Sequence, residues 1–97
     1  MIRIVKMEFD PAKVEDFKKL FDGVKEKIRA FEGCQYLELL QQTQGGNIFF
    51  TYSVWEDEKY LENYRSSELF ATVWAETKKG FAGKPEAWSV DQKVILE

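Results

Sequence analysis

The first third of the chain changes from a strand-like alternation to a helical repeat. Residues Ile2 to Phe9 alternate in side-chain polarity and are rich in β-branched residues, which predicts a β-strand. Asp10 as N-cap and Pro11 in the first helical position then indicate a helix start. The spacing of the following apolar residues predicts one amphipathic helix of about five turns, ended by Gly33 in the left-handed conformation. These apolar residues are Val14, Phe17, Phe21, Val24, Ile28 and Phe31.

Two further strands are predicted in the middle of the chain, from Gln35 to Thr43 and from Ile48 to Trp55. Between them lies the sequence QGGN, residues 44–47. Paired positive φ angles are easily adopted at Gly45-Gly46, and such a pair between two strand patterns is typical of a β-hairpin.

The last third predicts a broken helix and a final strand. Glu56 to Arg65 is predicted as a short helix, and Ser66 or Ser67 can begin a second helix that runs to about Lys79. Residues 80–87 form a loop rich in glycine. The final strand is predicted from alternating apolar residues at Trp88, Val90, Val94 and Leu96.

The predicted order is β-α-β-β-α-β, and 97 residues suffice for one domain, residues 1–97. This order predicts an α+β, ferredoxin-like fold, in which helices cover one face of a four-stranded antiparallel sheet. Several strands are nevertheless apolar on both faces; in the third strand, Ile48, Phe50, Tyr52 and Val54 oppose Phe49 and Trp55. An uncovered apolar face requires a partner, so we predict a homodimer in which the two sheets pack together.

Composition restricts the possible partners and chemistry. The formal net charge of −3 argues against nucleic acid or an acidic membrane surface as a partner, and no apolar run approaches the length of a membrane span. Cys34 is the only cysteine, and the start of the chain has no signal-peptide pattern, so a cytoplasmic location is expected. The chain has no histidine, and no ligand spacing predicts a metal site.

Three segments resemble the antibiotic-biosynthesis monooxygenase (ABM) family of dimeric α/β-barrel proteins. They are FDPAKVEDFKKLF, FEGCQYLELLQ and TYSVWEDEKYLENYRSSELFATVW, of which the last is the most specific. It resembles the family's strand ending in Trp, followed by an acidic turn, a short helix, a Ser-containing break and a second helix. The resemblance covers nearly the whole chain and implies a dimeric barrel with a cavity in each protomer between the sheet and the helices.

The resemblance also implies an activity. Characterised members oxygenate electron-rich phenols or quinols with dioxygen alone, without flavin or metal. A substrate that supplies its own electrons requires a protein that binds, orients and desolvates it and manages its protons. A separate branch degrades haem and needs Asn on the first strand and His on the last helix. The matching positions here are Val5 and Trp74, which argues against haem degradation.

The same comparison of residues selects the candidate catalytic pair, Trp55 and Tyr64. Trp55 matches the strand-terminal Trp, and it is either a core or interface residue or a cavity wall that stacks on a flat ring. Many members carry histidines where this chain has Tyr64 and Leu69. A tyrosine hydroxyl can donate a hydrogen bond to a substrate oxygen, although it is a poor base at neutral pH.

Four residues are predicted to bind substrate: Val5, Tyr52, Arg65 and Trp74. Tyr52 is expected to point toward the helix face that carries Tyr60 and Tyr64, and Tyr60 itself is expected to keep its hydroxyl at the surface. Arg65 can pair with an anionic substrate, or it can simply cap or solvate the break between the two predicted helices. Trp74 can belong to the core or close the cavity.

Two functions therefore remain open. The first is a cofactor-independent monooxygenase that acts on an electron-rich phenol or quinol, and the alternative is a non-catalytic dimer that binds a small aromatic metabolite. The isomerase or decyclase chemistry of related barrels requires an acid–base pair that this sequence does not show. Oxygen uptake distinguishes the first function from the second.

Overall fold

Four strands and three helices build the protein, and the computed structural model describes all 97 residues. The elements are β1 (Ile2–Glu8), a 3₁₀ turn (Pro11–Lys13), α1 (Val14–Arg29), β2 (Cys34–Gln41), β3 (Ile48–Trp55), α2 (Glu58–Arg65), α3 (Glu68–Lys78) and β4 (Glu86–Val90). The strands form one antiparallel sheet in the order β2-β3-β1-β4. The predicted ferredoxin-like α+β fold is confirmed. Every helix is too short or too polar to cross a membrane.

The register of the strands separates the sheet into two faces. Val5 pairs with Thr51, whereas its neighbour Ile4 pairs with Tyr52. Because side chains alternate along a strand, Val5 and Thr51 lie on the face that the helices cover, the helix-covered face, and Ile4 and Tyr52 lie on the opposite, open face. The open face consists of Ile2, Ile4, Lys6, Glu8, Tyr36, Glu38, Leu40, Ile48, Phe50, Tyr52, Val54, Glu86, Trp88 and Val90.

The helix-covered face holds two buried clusters. Met7, Phe9, Val14, Phe17 and Phe49 form the first, in which the Phe9 and Phe17 rings stack with centroids 4.3 Å apart. The second consists of Cys34, Trp55 and Leu61. The predicted apolar stripe of α1 therefore contributes to the core, as Val14, Phe17 and Ile28 are its buried residues.

Two predicted helix and turn details are corrected by the structure. The first helix ends at Arg29 and not at Gly33. Gly33 instead has a φ of 88° in the turn before β2, where an added Cβ would collide with the Tyr60 side chain. In the β2–β3 hairpin the positive φ angles occur at Gln44 and Gly45, at 62° and 70°, one residue before the predicted Gly45-Gly46 pair.

Side-chain caps position α2 and α3. The Asp57 carboxylate accepts a hydrogen bond from the Lys59 backbone N–H at 3.0 Å, so α2 begins two residues later than predicted. Ser67 caps α3, as one of the two predicted candidates, by accepting from the Phe70 backbone N–H at 3.1 Å. Its hydroxyl also donates to the Tyr64 carbonyl at 2.6 Å, which joins the two helices at the break.

The final strand is shorter than predicted. Val90 pairs with Ile2, the first residue of β1, so β1 offers no further partners to the residues after 90. Residues 91–97 have no regular secondary structure, and the predicted strand residues Val94 and Leu96 are 77% and 92% exposed. The alternating apolar pattern of the sequence therefore extends past the residues that have a hydrogen-bonding partner in β1.

Candidate active site

A cavity of about 270 Å³ lies between the helix-covered face and the helices. It is lined by members of both buried clusters, including Met7, Phe17, Trp55 and Leu61. The helices pack against β2 and β3, whereas all of β4 is exposed. Residues 85–87 border the cavity, so its mouth opens toward the β4 edge. The remaining lining residues are Arg3, Val5, Phe21, Ile28, Leu37, Thr51, Ser53, Tyr64, Arg65, Phe70, Val73, Trp74 and Thr77.

The two predicted catalytic residues contact each other in the wall of this cavity. The Trp55 and Tyr64 rings stack with centroids 5.3 Å apart at an interplanar angle of 27°. Trp55 is 1% exposed, and its indole Nε1–H donates to the buried Ser53 Oγ at 3.0 Å. The Tyr64 ring also packs edge-on against Phe31 and Phe70. Tyr64 is therefore held by aromatic rings on three sides, in a fixed orientation.

The Tyr64 hydroxyl accepts and donates no hydrogen bond within the chain, although the residue lines the cavity. Burial raises the pKa of Tyr64 to about 12, and the nearby Cys34 thiol adds to the effect. The phenol thus stays protonated at neutral pH. It can act as a hydrogen-bond donor and not as a base.

Val5 and Trp74 border the cavity on opposite layers of the protein. Val5 projects from β1 on the helix-covered face, and Trp74 projects from α3. The Trp74 ring stacks on Phe70 with centroids 5.7 Å apart and packs edge-on against Phe81. Trp74 is therefore both a core residue and a cavity wall, so the two interpretations of its sequence position are not exclusive.

Tyr52 lies outside the cavity, contrary to expectation. It belongs to the open face, where its ring approaches Tyr36 with centroids 6.1 Å apart in an edge-on arrangement. The side chains of β3 that reach the cavity are those of the alternate set, Thr51, Ser53 and Trp55. The physical reason is the strand period: a residue three positions before Trp55 necessarily projects from the other face.

Two arginines border the cavity, and the sequence analysis identified only one of them. Arg65 donates from Nη1 to Glu62 at 3.1 Å. Arg3, which the sequence analysis missed, donates from Nη1 to the Ser89 Oγ at 3.0 Å. Burial lowers the pKa of Arg3, and the positive charge of Arg65 lowers it further. The signal for Arg3 was available, since it lies two residues before Val5 and must share its face.

No carboxylate projects into the cavity. Glu86 is the only acidic residue that borders it, and the Glu86 side chain lies 3.9 Å from Lys6 on the open face. No group of three or more His, Cys, Asp or Glu side chains has the geometry to hold a metal ion. The cavity therefore offers aromatic walls, a protonated phenol and two guanidinium groups.

Sequence comparison finds that most of the chain matches the model of one protein family. Residues 1–75 match the family model described as "Antibiotic biosynthesis monooxygenase". No functionally curated protein shows significant sequence similarity to this chain.

Solved structures share the fold at low sequence identity. A conserved protein from Methanosarcina mazei Go1 is 25% identical, with a TM-score of 0.82 over 89% of this chain and 86% of its own. A structure of an antibiotic biosynthesis monooxygenase has a TM-score of 0.87 at 16% identity, over 97% of this chain and 100% of its own. Rv0793 from Mycobacterium tuberculosis has a TM-score of 0.81 at 14% identity, and 97% of each chain is covered.

Proposed function

The chain belongs to the antibiotic biosynthesis monooxygenase family, and from this premise we propose that it is a cofactor-independent monooxygenase. Its substrate is an electron-rich phenol or quinol, which it oxidises with dioxygen. One observation carries the proposal: a protonated, unpaired phenol, Tyr64, borders an aromatic-walled cavity between the sheet and the helices. Such a cavity suits a flat, apolar ring with a polar oxygen at one point.

The reaction needs no external reductant. A quinol and dioxygen give a hydroxylated quinone and one water molecule, so all four electrons that reduce dioxygen come from the substrate. One oxygen atom enters the product, and the other leaves as water. The protein's contribution is to hold the ring, exclude solvent and stabilise the negative charge that develops when the quinol loses its proton.

Tyr64 and Trp55 have distinct roles in this proposal. The Tyr64 hydroxyl donates a hydrogen bond to the substrate oxygen and stabilises its anionic form, since a phenol with a pKa of about 12 remains a donor throughout the neutral range. Trp55 fixes the Tyr64 ring by stacking and forms part of the wall. With no histidine in the chain and no carboxylate in the cavity, the substrate's proton leaves to solvent at the mouth.

The other cavity residues determine how the substrate binds. Val5 and Trp74 contact its ring from the sheet and from the helix layer, respectively, and Arg65 attracts an anionic substrate to the mouth. A volume of about 270 Å³ is near the lower limit of small-molecule sites, about 300 Å³. We therefore expect a substrate of one or two rings.

We also propose that the protein is a homodimer whose open faces pack together, and that it functions in the cytoplasm. Tyr36, Leu40, Trp88 and Val90 are all exposed on the open face. The accessible surface is 6544 Å², whereas the size scaling of monomeric proteins gives about 5,800 Å² for 11.4 kDa. The excess resembles the surface that one partner buries in a standard interface, about 800 Å².

Oxygen consumption by purified, chelator-treated protein tests the activity. The substrates are dihydroxynaphthalenes and the larger anthrone, with autoxidation subtracted, and isotope-labelled dioxygen follows the transferred atom. We expect labelled hydroxyquinone from the two-ring substrates and slower turnover of anthrone, because the cavity is small. Absence of protein-dependent uptake from folded protein would contradict the monooxygenase proposal.

A matched pair of variants assigns the activity to the cavity. Tyr64→Phe removes the hydroxyl of a residue that lines the cavity, and we expect turnover to fall by about tenfold to a hundredfold. Tyr60→Phe removes a hydroxyl from the same helix outside the cavity lining, and its turnover should stay within about twofold of the wild type. Equal losses in both variants would argue against Tyr64 as the donor.

The alternative function is a non-catalytic binding protein for a small aromatic metabolite. The absence of any carboxylate or histidine side chain in the cavity favours it, because no protein group accepts the substrate's proton. It predicts saturable binding of naphthols with thermal stabilisation and no oxygen uptake.

A further inference from the structure

A polar row crosses the largely apolar helix-covered face next to Val5. Arg3 of β1 pairs with Ser53 of β3 on one side and with Ser89 of β4 on the other. All three side chains therefore project from the same face. Toward the interior, the next residues of β1 on this face are Val5 and Met7, which continue the apolar lining.

The charge of Arg3 has no counter-ion in the protein. It forms no ion pair, and its one side-chain hydrogen bond goes to a neutral hydroxyl, the Ser89 Oγ. A guanidinium has five N–H donors, so most of those on Arg3 remain available. A half-buried cation without a counter-ion is unfavourable in a folded protein, and a hydrophobic residue would suit the neighbouring lining better. Arg3 thus has the properties of a ligand-binding residue more than of a structural one.

Arg65 brings a second guanidinium to the same part of the cavity. The two groups are close enough for the charge of Arg65 to lower the pKa of Arg3. Glu62 neutralises Arg65 through their hydrogen bond, and Glu58 and Glu62 act on Arg3 only at longer range. Two arginines and two glutamates give a formal local charge near zero, and Arg3 is the arginine without an ion pair, so a ligand with a single anionic group fits better than a doubly charged phosphate.

The position of this charge restricts the ligand. The aromatic rings packed around Met7 line one part of the cavity, and Arg3, four residues before Met7 on β1, lines another, where it donates to Ser89 of β4. A ligand with a flat ring at one end and a planar anion at the other satisfies both regions at once. A carboxylate matches the planar fork of a guanidinium and accepts two of its N–H groups.

We propose that Arg3, assisted by Arg65, binds the carboxylate of a one- or two-ring aromatic acid whose ring lies in the cavity. This inference rests on the proposed function only for the location of the site, and it identifies the substrate as a hydroxylated aromatic acid. Arg3 is then a specificity-determining residue. Tyr64 precedes Arg65 in α2 and stacks on Trp55 near Ser53 and Arg3, so it donates to a ring oxygen near the carboxylate.

Binding of a matched pair of inert probes tests the proposal. Naphthalene carboxylate and the corresponding naphthalene carboxamide have nearly the same shape and differ in charge. We expect the wild type to bind the carboxylate about tenfold more tightly, as the hydrogen bonds to a charged group predict, when quenching of tryptophan fluorescence is titrated. Raising the ionic strength should weaken binding of the carboxylate and leave the carboxamide unaffected.

Two substitutions locate the effect. Arg3→Gln should reduce the preference for the carboxylate to about twofold or less while the affinity for the carboxamide is unchanged. Lys19→Gln removes the same charge from the exposed side of α1 and should keep the full preference. Circular dichroism verifies that both variants are folded. If Arg3→Gln proves unfolded, two other measurements test the carboxylate site. They are the salt dependence of carboxylate binding by the wild type and the preference of Arg65→Gln for the carboxylate over the carboxamide.

The outcomes separate this inference from the proposed activity. Equal affinity of the wild type for both probes, or a preference that survives in Arg3→Gln, would overturn the carboxylate site even if neutral quinols are oxygenated. A preference lost only in Arg3→Gln supports the site even if no oxygen uptake is found. The result would then identify a binding protein for aromatic acids.

Discussion

The two faces of the sheet have similar apolar composition but differ in how far their side chains are buried. On the helix-covered face, Trp55 and Phe49 are each 1% exposed. On the open face, Trp88 and Tyr36 are 44% and 46% exposed. The helices cover the first face incompletely and leave a cavity, whereas nothing in the protomer covers the second. An apolar residue in a strand thus indicates burial without indicating what buries it.

The difference suggests separate roles for the two faces. On the helix-covered face, the polar groups are few and directed: a phenol without a partner and a guanidinium without a counter-ion border an apolar cavity. Such an arrangement favours ligand binding. On the open face, Tyr36, Leu40, Trp88 and Val90 are exposed alongside the charged pair Lys6 and Glu86, and exposed apolar side chains of this kind are expected of an interface between identical chains.

The largest predicted effect concerns the open face. Leu40→Glu places a charge at an exposed open-face position of the edge strand β2, opposite Phe50 and within the proposed interface. We expect the dimer dissociation constant to rise by at least about a hundredfold, because an unpaired charge buried between two sheets costs several kcal/mol. Light scattering coupled to size exclusion measures it.

The control places the same charge on the other side of the molecule. Ala71→Glu lies on the exposed surface of α3 and should leave the dimer intact. A wild-type protein that stays monomeric at all concentrations would refute the proposed interface. So would a Leu40→Glu variant that dimerises as tightly as the wild type.

The second prediction exchanges neighbouring residues on opposite faces. Val5→Phe adds a ring inside the cavity, and we expect affinity for naphthalene carboxylate to fall by about tenfold or more through lost volume. Ile4→Phe adds the same volume on the open face and should change ligand affinity by less than about twofold while altering dimer affinity. Fluorescence titration and light scattering measure the two properties. Equal loss of ligand affinity would show that the faces are not independent.

The smallest predicted effect is the pH dependence of stability caused by Tyr64. Its folded pKa of about 12 lies above the unfolded value of about 10, so the unfolded chain loses this proton first. The stabilisation is complete below about pH 10 and is lost as the pH rises toward 12. Between these pH values, Tyr64→Phe should lose about 1 kcal/mol less free energy of unfolding than the wild type, a figure that allows for the partial exposure of Tyr64.

Urea unfolding across this pH range measures how much free energy of unfolding each variant loses as the pH rises. Cys34, whose pKa burial also raises, is retained in Tyr64→Phe. Because its charge acts on Tyr64, the difference between the two proteins reports the coupled pair. Identical curves for Tyr64→Phe and the wild type would indicate that the Tyr64 phenol is not desolvated.

Local patterns predicted most of the fold. The two-residue and three-to-four-residue periods identified all four strands and the helices, and Ser67 was correctly expected among the helix caps. The errors occur where another element decides. The final strand ends at Val90 because β1 provides no more partners. Gly33 allows the Tyr60 side chain to approach the backbone closely and does not end the first helix.

The candidate site was predicted in part, for reasons visible in individual residues. Trp55, Tyr64, Val5 and Trp74, selected as family-matched positions, and Arg65, selected for its charge beside the helix break, all line one cavity, and their roles remain predictions. Tyr52 was misplaced because the strand period was not applied backward from Trp55. Arg3 was missed because a charged residue near the start of a strand is ordinarily a solvated one.

The sequence by itself determined the order of elements, the apolar character of both sheet faces and the absence of histidine, because these depend on residues close together in the chain or on composition alone. Only the tertiary structure decided that Tyr64 lines the cavity and that Arg65 lies near enough to Arg3 to lower its pKa. Strand register and helix packing join residues far apart in sequence, and these set which side chain is desolvated, which finds a partner and which remains free to bind a ligand.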